Sequence, residues 1–200
     1  MSILSQLQEL HWKQLQHDER YHKEIWLLTV QQRITHMTLH LSKYSAKLTK
    51  ASFEKKSDIQ RKTIIDALII IFSSANIFNI ILGEKLTEVL NENLSTLKSL
   101  GYALSTHNSK ISHSNELILS LDILESTGKM CKIVESLDHL EAISFRESLI
   151  KELNTLFENL IIFCNILQVE NIEAEISDRL YFVEQKNKHF LKLGNYKTGY

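Results

Sequence analysis

Proline is absent from this 200-residue chain, and glycine occurs only five times. Average usage of about 5% would give roughly ten prolines. Both residues interrupt helices and build tight turns, so their scarcity excludes proline-rich linkers and argues against folds with many β-turns. The composition therefore predicts an all-α fold, with long helices joined by short connections.

The chain also has no excess of charge of either sign, with 23 lysine and arginine residues against 24 aspartate and glutamate residues. No basic stripe is visible, so no nucleic-acid partner is expected. The two cysteines, Cys131 and Cys164, lie in apolar helical patterns without a CxxC partner. We interpret them as small core residues of a cytoplasmic protein, in a reducing compartment and without a disulfide.

Long apolar runs are scarce as well. Residues 1–15 form an amphipathic pattern without the apolar core or cleavage site of a signal peptide. Segment 64–82 is long enough to cross a bilayer, but Asp66, Asn76 and Asn79 would then have to face lipid. An aspartate at mid-membrane costs about 2.5 to 3.5 kcal/mol, so this segment is predicted to be the buried central helix of a bundle. No membrane partner is expected.

Apolar residues recur at helical spacing along most of the chain, and their 44% share is enough for a sizeable core. Gly83 is a suitable residue to end the central helix. The predicted helical segments are two within 3–50 separated near 17–21, one from Ser57 or Asp58 to Gly83, and others at 84–105, 116–140, 145–167 and 173–191.

The polar segment 105–115 is predicted to separate two helical units, 1–106 and 107–200, unless the chain forms one integrated domain. LSKYSAKLTKA, from residue 41, matches ILESTGKMCKI, from residue 123, at an offset of 82 residues. SSANIFNI, from residue 73, matches IFCNILQV, from residue 162, at an offset of 89. The matches predict a diverged internal duplication, with a chance likeness of two amphipathic helix pairs as the alternative.

These matched segments resemble the MazG-type, all-α nucleoside triphosphate pyrophosphohydrolases, a family that includes the dimeric dUTPases. In that family an ExxE helix is followed by an ExxD helix, an apolar run and Ala-Asn or Ala-Asp, and the four carboxylates hold the Mg²⁺ that binds the triphosphate. Asp66 takes the place of the ExxD aspartate, ten residues before Asn76 of Ala75-Asn76. The resemblance covers about 35–82 and, more weakly, 122–171, and it implies a helical bundle of two tandem MazG-like units packed as a pseudo-dimer.

The metal-ligand positions of the family are changed in this chain. Mg²⁺ is bound by several hard oxygen ligands, and neither unit offers more than one carboxylate at the matched positions. The Mg²⁺ site is therefore expected to be degraded, with catalysis lost or altered. The matched residues are Tyr44, Lys47, Thr63 and Asp66 in the first unit and Ser126, Lys129, Glu152 and Thr155 in the second.

The resemblance leads to a first functional hypothesis, a pseudoenzyme that binds a nucleotide without cleaving it. Lys47 and Lys129 stand where the family has metal-binding glutamates, and an ammonium group there can pair with Asp66 or with a phosphate. Asn76 would face the nucleotide. If activity survives, Mg²⁺ is the expected cofactor and pyrophosphate the product; otherwise no cofactor is expected. The carboxylates to test are Asp66, Glu135, Asp138 and Glu152.

The second hypothesis belongs to a different class: a helical interaction or regulatory module without small-molecule chemistry, acting on a protein partner or as a homo-oligomer. The two hypotheses differ in whether the carboxylates converge on one site or scatter over the surface. Both alternatives remain open from the sequence.

Three further sets of residues have the chemistry of a site. His36 and His40 lie one helical turn apart, with His17 and His22 in the preceding segment, as in many Zn²⁺ sites; ordinary polar helix residues are the alternative. Glu135, Asp138 and His139 share a helical face, either as ligands or as a charged surface. Asn76 and Asn165 lie at equivalent points of apolar helices, where they either bond to each other across the units or, for Asn76, face a nucleotide. The positions of these residues in the fold decide between the alternatives for each set.

Overall fold

The computed structural model describes residues 2–86, 94–107 and 115–192, with side chains as far as residue 188. Within these ranges the protein is an all-α helical bundle without a β-strand, which confirms the predicted fold class. The helices are α1 (Ile3–Tyr21), α2 (Lys23–Trp26), α3 (Val30–Phe53), α4 (Ser57–Phe78), α5 (Leu97–His107), α6 (Glu116–Asp138), α7 (Phe145–Ile166) and α8 (Ile172–Lys192).

Four helices form a closed ring around the core. Helix α3 contacts α4 and α6, and α7 contacts the same two helices from the opposite side. Helices α1 and α8 pack on α4, while α5 packs on α7. The rings of Phe72 and Phe157 meet edge to face at 6.1 Å between α4 and α7, and both side chains are buried. The fold is therefore a four-helix bundle with outer helices on α4 and α7.

Helix α4 is the buried helix that the apolar run predicts, with Leu68, Ile71 and Ala75 all out of contact with solvent. It ends at Phe78 rather than at Gly83, because Asn79 adopts a left-handed conformation with φ of 51°. Gly83, with φ of 75°, lies in the following connection. None of the helices in the described ranges is both long and apolar enough to span a membrane.

The break in the first region falls later than predicted. Helix α1 continues through residues 17–21, and His22 separates it from the short α2. Helix α3 then begins with a capping box, in which the Thr29 hydroxyl accepts from the Gln32 N–H and the Gln32 side chain accepts from the Thr29 N–H. The predicted helix at 84–105 is not continuous, because residues 94–96 are not helical, and α5 extends through residues 105–107 into the segment predicted as a loop. Residues 87–93 and 108–114 lie outside the described ranges.

Helices α3 and α6 meet through residues that the sequence match pairs with each other. Ser45 Oγ lies 2.9 Å from Thr127 Oγ1, and these two positions are 82 residues apart. On one side of this contact Ser42 Oγ lies 3.1 Å from Cys131 Sγ, and on the other Thr49 Oγ1 donates to the Ser120 carbonyl. At a twofold axis a residue contacts its own equivalent, as these two matched positions do. The tandem arrangement itself stays a prediction.

The two asparagines do not bond to each other across the units. Asn76 Nδ2 donates to the His11 carbonyl at 3.0 Å, and Asn165 Nδ2 donates to Ser105 Oγ at 3.1 Å. Each amide therefore joins its own helix, α4 or α7, to an outer helix, α1 or α5. Helix α5 belongs to the first unit by the predicted boundary, although it packs on α7; the boundary itself stays a prediction.

The two cysteines differ in accessibility. Both are free thiols, but Cys131 is exposed on α6, so its interpretation as a core residue was wrong. The apolar residues around Cys131 in the sequence suggested burial, but Cys131 lies at the edge of the α3–α6 contact, beside Ser42. Cys164 is buried, and burial raises the pKa of its thiol far above the ordinary value.

This difference predicts selective labelling. In the folded protein a thiol reagent such as Ellman's reagent should modify one cysteine quickly, because only a thiolate with solvent access reacts. The absorbance of the released chromophore should correspond to one thiol before denaturation and two after it. Cys131→Ser should remove the fast reaction completely. Fast labelling that persists in this variant would contradict the burial of Cys164.

Candidate functional site

A cavity of about 330 Å³ lies between α1, α2, α3, α4 and α8. Its volume is at the lower end of the range for small-molecule sites. Four histidines line it, two from the end of α1 and the residue after it and two from α3. They are His17, His22, His36 and His40.

The structure therefore brings together the two histidine pairs that the sequence singles out. His36 and His40 have ring centroids 4.6 Å apart on α3, and His17 and His22 have ring centroids 5.6 Å apart where α1 ends. Burial lowers the pKa of His36, and burial together with the charge of Lys43 lowers the pKa of His40 to about 4. These two imidazoles are consequently neutral near pH 7.

Asp66 lies in the same cavity, but its charge is already neutralised. Arg179 of α8 donates from Nε to Asp66 Oδ1 at 2.5 Å. Asp66 is only 8% exposed, so this is a nearly buried ion pair. Tyr44 lines the cavity beside it, and burial together with the negative charge of Asp66 raises the pKa of the phenol. A guanidinium thus lies against the carboxylate that in the resembled family binds the metal.

The other matched positions do not complete a Mg²⁺ site. Lys47 is exposed on α3 and does not line the cavity. In the second unit Lys129 is exposed and pairs with Glu125 at 2.8 Å, and the half-buried Glu152 acts on it electrostatically. Mg²⁺ needs several oxygen ligands, so the residues present do not fit it.

The acidic cluster at the end of α6 lies on the surface. Glu135 forms an ion pair with Lys132 at 3.0 Å and lies 3.8 Å from His139 Nε2. Asp138 accepts a hydrogen bond from Gln31 of α3 at 2.9 Å. These side chains are exposed and do not line the cavity, so the predicted carboxylates scatter rather than converge.

Asn76 does line the cavity, where it is fixed by α1. Its Oδ1 lies 3.0 Å from His11 Nδ1, while His11 Nε2 accepts from the Leu82 N–H at 3.1 Å. With Nε2 as the acceptor, Nδ1 carries the proton and donates to Asn76. Burial lowers the pKa of His11, although the Asn76 hydrogen bond opposes that shift.

Sequence reasoning missed a polar network on the α1 side of the cavity. Gln14 Nε2 donates to Asp18 Oδ1 at 2.8 Å and to Ser73 Oγ at 3.0 Å, and Ser73 Oγ donates to Asp18 Oδ2 at 2.6 Å. The one signal was the spacing of Gln14 and Asp18, one turn apart on α1. Ser73 lies 55 residues away from Asp18, and no local pattern joins them.

Arg33 and two aromatic side chains lie on the α2 and α3 side. The Arg33 guanidinium lies over the Trp26 ring, 5.1 Å from its centroid. Arg33 Nε is buried and has no hydrogen-bond partner among the described residues. With Tyr44 in the same lining, aromatic rings and the unpaired Arg33 Nε lie together on this side of the cavity, within the part of the chain that the structure describes.

Comparisons of the chain with protein-family models, curated proteins and solved structures find no match. The function therefore has to be inferred from the chemistry of the cavity.

Proposed function

We propose that the protein is a MazG-like nucleotide-binding protein that does not hydrolyse its ligand through Mg²⁺. The observation that carries this proposal is the ion pair of Arg179 with Asp66. Asp66 stands at a position where the resembled family binds metal, and its carboxylate is bound by the guanidinium instead. Tandem units that pack as a pseudo-dimer are part of the proposal. Support for them comes from the contact of Ser45 with its equivalent Thr127.

The lining of the cavity supports a ligand with an aromatic base and an anionic group. Trp26 and Tyr44 are aromatic lining residues, each with a cation, Arg33 or Lys43, over one face of its ring. Asn76 and Ser73 are polar lining residues that hydrogen bonds to α1 hold in place. Arg33 also lines the cavity, and its Nε has no hydrogen bond among the described residues, which makes its guanidinium the candidate partner of a phosphate. A cavity of about 330 Å³ suits a single nucleoside better than a larger cofactor.

Thermal stability in the presence of nucleotides tests the proposal. Nucleoside mono-, di- and triphosphates would each be added with Mg²⁺ and then with EDTA. A ligand at 100 times its Kd should add about 2.7 kcal/mol to the free energy of unfolding. We expect stabilisation that survives EDTA, together with no release of pyrophosphate. Pyrophosphate release that requires Mg²⁺ would contradict the loss of catalysis.

Two variants locate the ligand. Arg33→Ala should abolish the stabilisation, because it removes the available guanidinium from the cavity. Lys129→Ala is the matched control, since Lys129 is exposed outside the cavity, and it should leave the stabilisation unchanged. Loss of the stabilisation in Lys129→Ala but not in Arg33→Ala would mean that the phosphate binds Lys129, as the family resemblance implies.

A helical interaction module is the second candidate, and exposed apolar side chains favour it. Leu27 and Leu140 are each 89% exposed, and Val30 is also exposed. The hydrogen bond between Gln31 and Asp138 joins the two parts of the chain that carry them. No stabilisation by any nucleotide would make this module the better account.

A further inference from the structure

The junction of α1 and α2 holds a group of side chains that the nucleotide proposal does not use. His17, Asp18 and His22 each offer one ligating atom, and these three atoms lie within 4.8 Å of one another. Two ligands on a metal ion with bonds of about 2.0 to 2.1 Å can be about 4 Å apart at most. Small side-chain rotations therefore suffice to bring the three atoms onto one ion.

His17 is a buried imidazole that makes no hydrogen bond within the described ranges. It is 6% exposed, and neither of its ring nitrogens has a hydrogen-bond partner among the described residues. Its Nδ1 lies 3.9 Å from Asp18 Oδ1, too far for a hydrogen bond but suitable for two ligands of one ion. A buried polar group without a hydrogen bond is destabilising, so this ring is suited to a ligand.

Asp18 and His22 have neighbours that would orient them as ligands. Gln14 and Ser73 donate to the two carboxylate oxygens of Asp18 and fix their direction. Glu24 Oε1 lies 3.5 Å from His22 Nδ1, in the position of the carboxylate that commonly supports a metal-binding histidine. Such supporting groups set the orientation of a ligand before the ion arrives.

We propose that His17, Asp18 and His22 bind a divalent transition-metal ion of the Zn²⁺ or Co²⁺ type. Two imidazoles and one carboxylate suit these ions, whereas Mg²⁺ prefers oxygen ligands alone. With three protein ligands the ion keeps an open position. The three ligands line the same cavity as His36 and His40. The metal site does not depend on the nucleotide proposal, because its ligands are complete without Arg33 or Asp66.

Titration of the metal into the full chain tests this site in the absence of nucleotide. The protein would be prepared without an affinity tag, treated with EDTA, exchanged into chelator-free buffer and titrated with ZnCl₂ by calorimetry. We expect one equivalent to bind. His17→Ala and His22→Ala should each weaken binding at least tenfold, and Gln14→Ala should weaken it about 10- to 100-fold through Asp18.

His139→Ala is the matched control, since His139 is an exposed histidine with a neighbouring glutamate on α6, and it should bind as the unaltered protein does. Because His17→Ala removes a buried side chain, Asp18→Asn provides a second variant of nearly the same shape. Visible absorption of Co²⁺ added to the unaltered chain reports nitrogen and oxygen coordination without any substitution.

Two outcomes would overturn the proposal. One is the absence of stoichiometric Zn²⁺ binding and of Co²⁺ absorption in the unaltered chain. The other is binding that survives His17→Ala and His22→Ala but is lost in His36→Ala, which would place the ion on α3 instead. Neither outcome bears on nucleotide binding, which Arg33→Ala tests separately.

Discussion

Replacing Arg179 with glutamine is expected to lower the free energy of unfolding by about 3 kcal/mol. Removing one partner of a buried pair leaves the other charge buried and uncompensated, at a cost of about 3 to 5 kcal/mol. Asp66 is 8% exposed, whereas the Arg179 side chain is 24% exposed, so we expect the lower end of that range. Urea denaturation followed by circular dichroism measures the loss.

The double variant Asp66→Asn with Arg179→Gln should recover at least half of that loss, because no charge is then left uncompensated. Arg61→Gln is the matched control: Arg61 pairs with Glu175 between the same two helices, but its side chain is 46% exposed. Exposed pairs contribute roughly 0 to 1 kcal/mol, so this variant should change little. An equal loss from Arg61→Gln and Arg179→Gln would contradict the burial of the Asp66 pair.

Replacing Gly101 with alanine is expected to cost about 1 to 3 kcal/mol, although alanine is the better helix former. A Cβ at this position would lie 2.9 Å from the Ile161 carbonyl oxygen and 3.3 Å from Asn165 Cβ. The nearest atom belongs to the backbone, so α5 would have to move away from α7, and overpacking of this kind typically costs that amount. Helix propensity would return only about 1 kcal/mol.

Gly128→Ala is the control for this effect, because a Cβ there would meet nothing within 4 Å. Gly128 also lies inside a helix and is exposed, so the variant should gain up to about 1 kcal/mol. The two alanine variants should therefore shift the urea midpoint in opposite directions. A gain in both would mean that α5 and α7 are not in close contact at Gly101.

The features that the sequence predicted well depend on periodicity over many residues. Scarce proline and glycine restricted the chain to helices, and the apolar run of α4 predicted its burial, since each property is repeated along a whole helix. The 82-residue match makes Ser45 and Thr127 equivalent positions, whereas the contact between them is a finding of the structure.

The features that could not be predicted depend on single contacts between distant residues. Arg179 lies 113 residues from Asp66, and nothing near either residue indicates the other. Whether a charged side chain faces solvent or a cavity depends on how outer helices such as α8 pack, which single-sequence patterns do not specify. His17 is a similar case, because its burial depends on α1 packing against α4.

The contact between the Ser45 and Thr127 hydroxyls bears on how the interface between α3 and α6 could have originated. In a homodimer a residue on the symmetry axis meets its own copy, so the side chain must be compatible with itself. A hydroxyl both donates and accepts, and two of them can pair, whereas two carboxylates or two ammonium groups would repel each other. If the proposed tandem units arose by duplication, Ser45 and Thr127 are a pair that an ancestral dimer of identical chains could have formed, and after fusion each half could change independently.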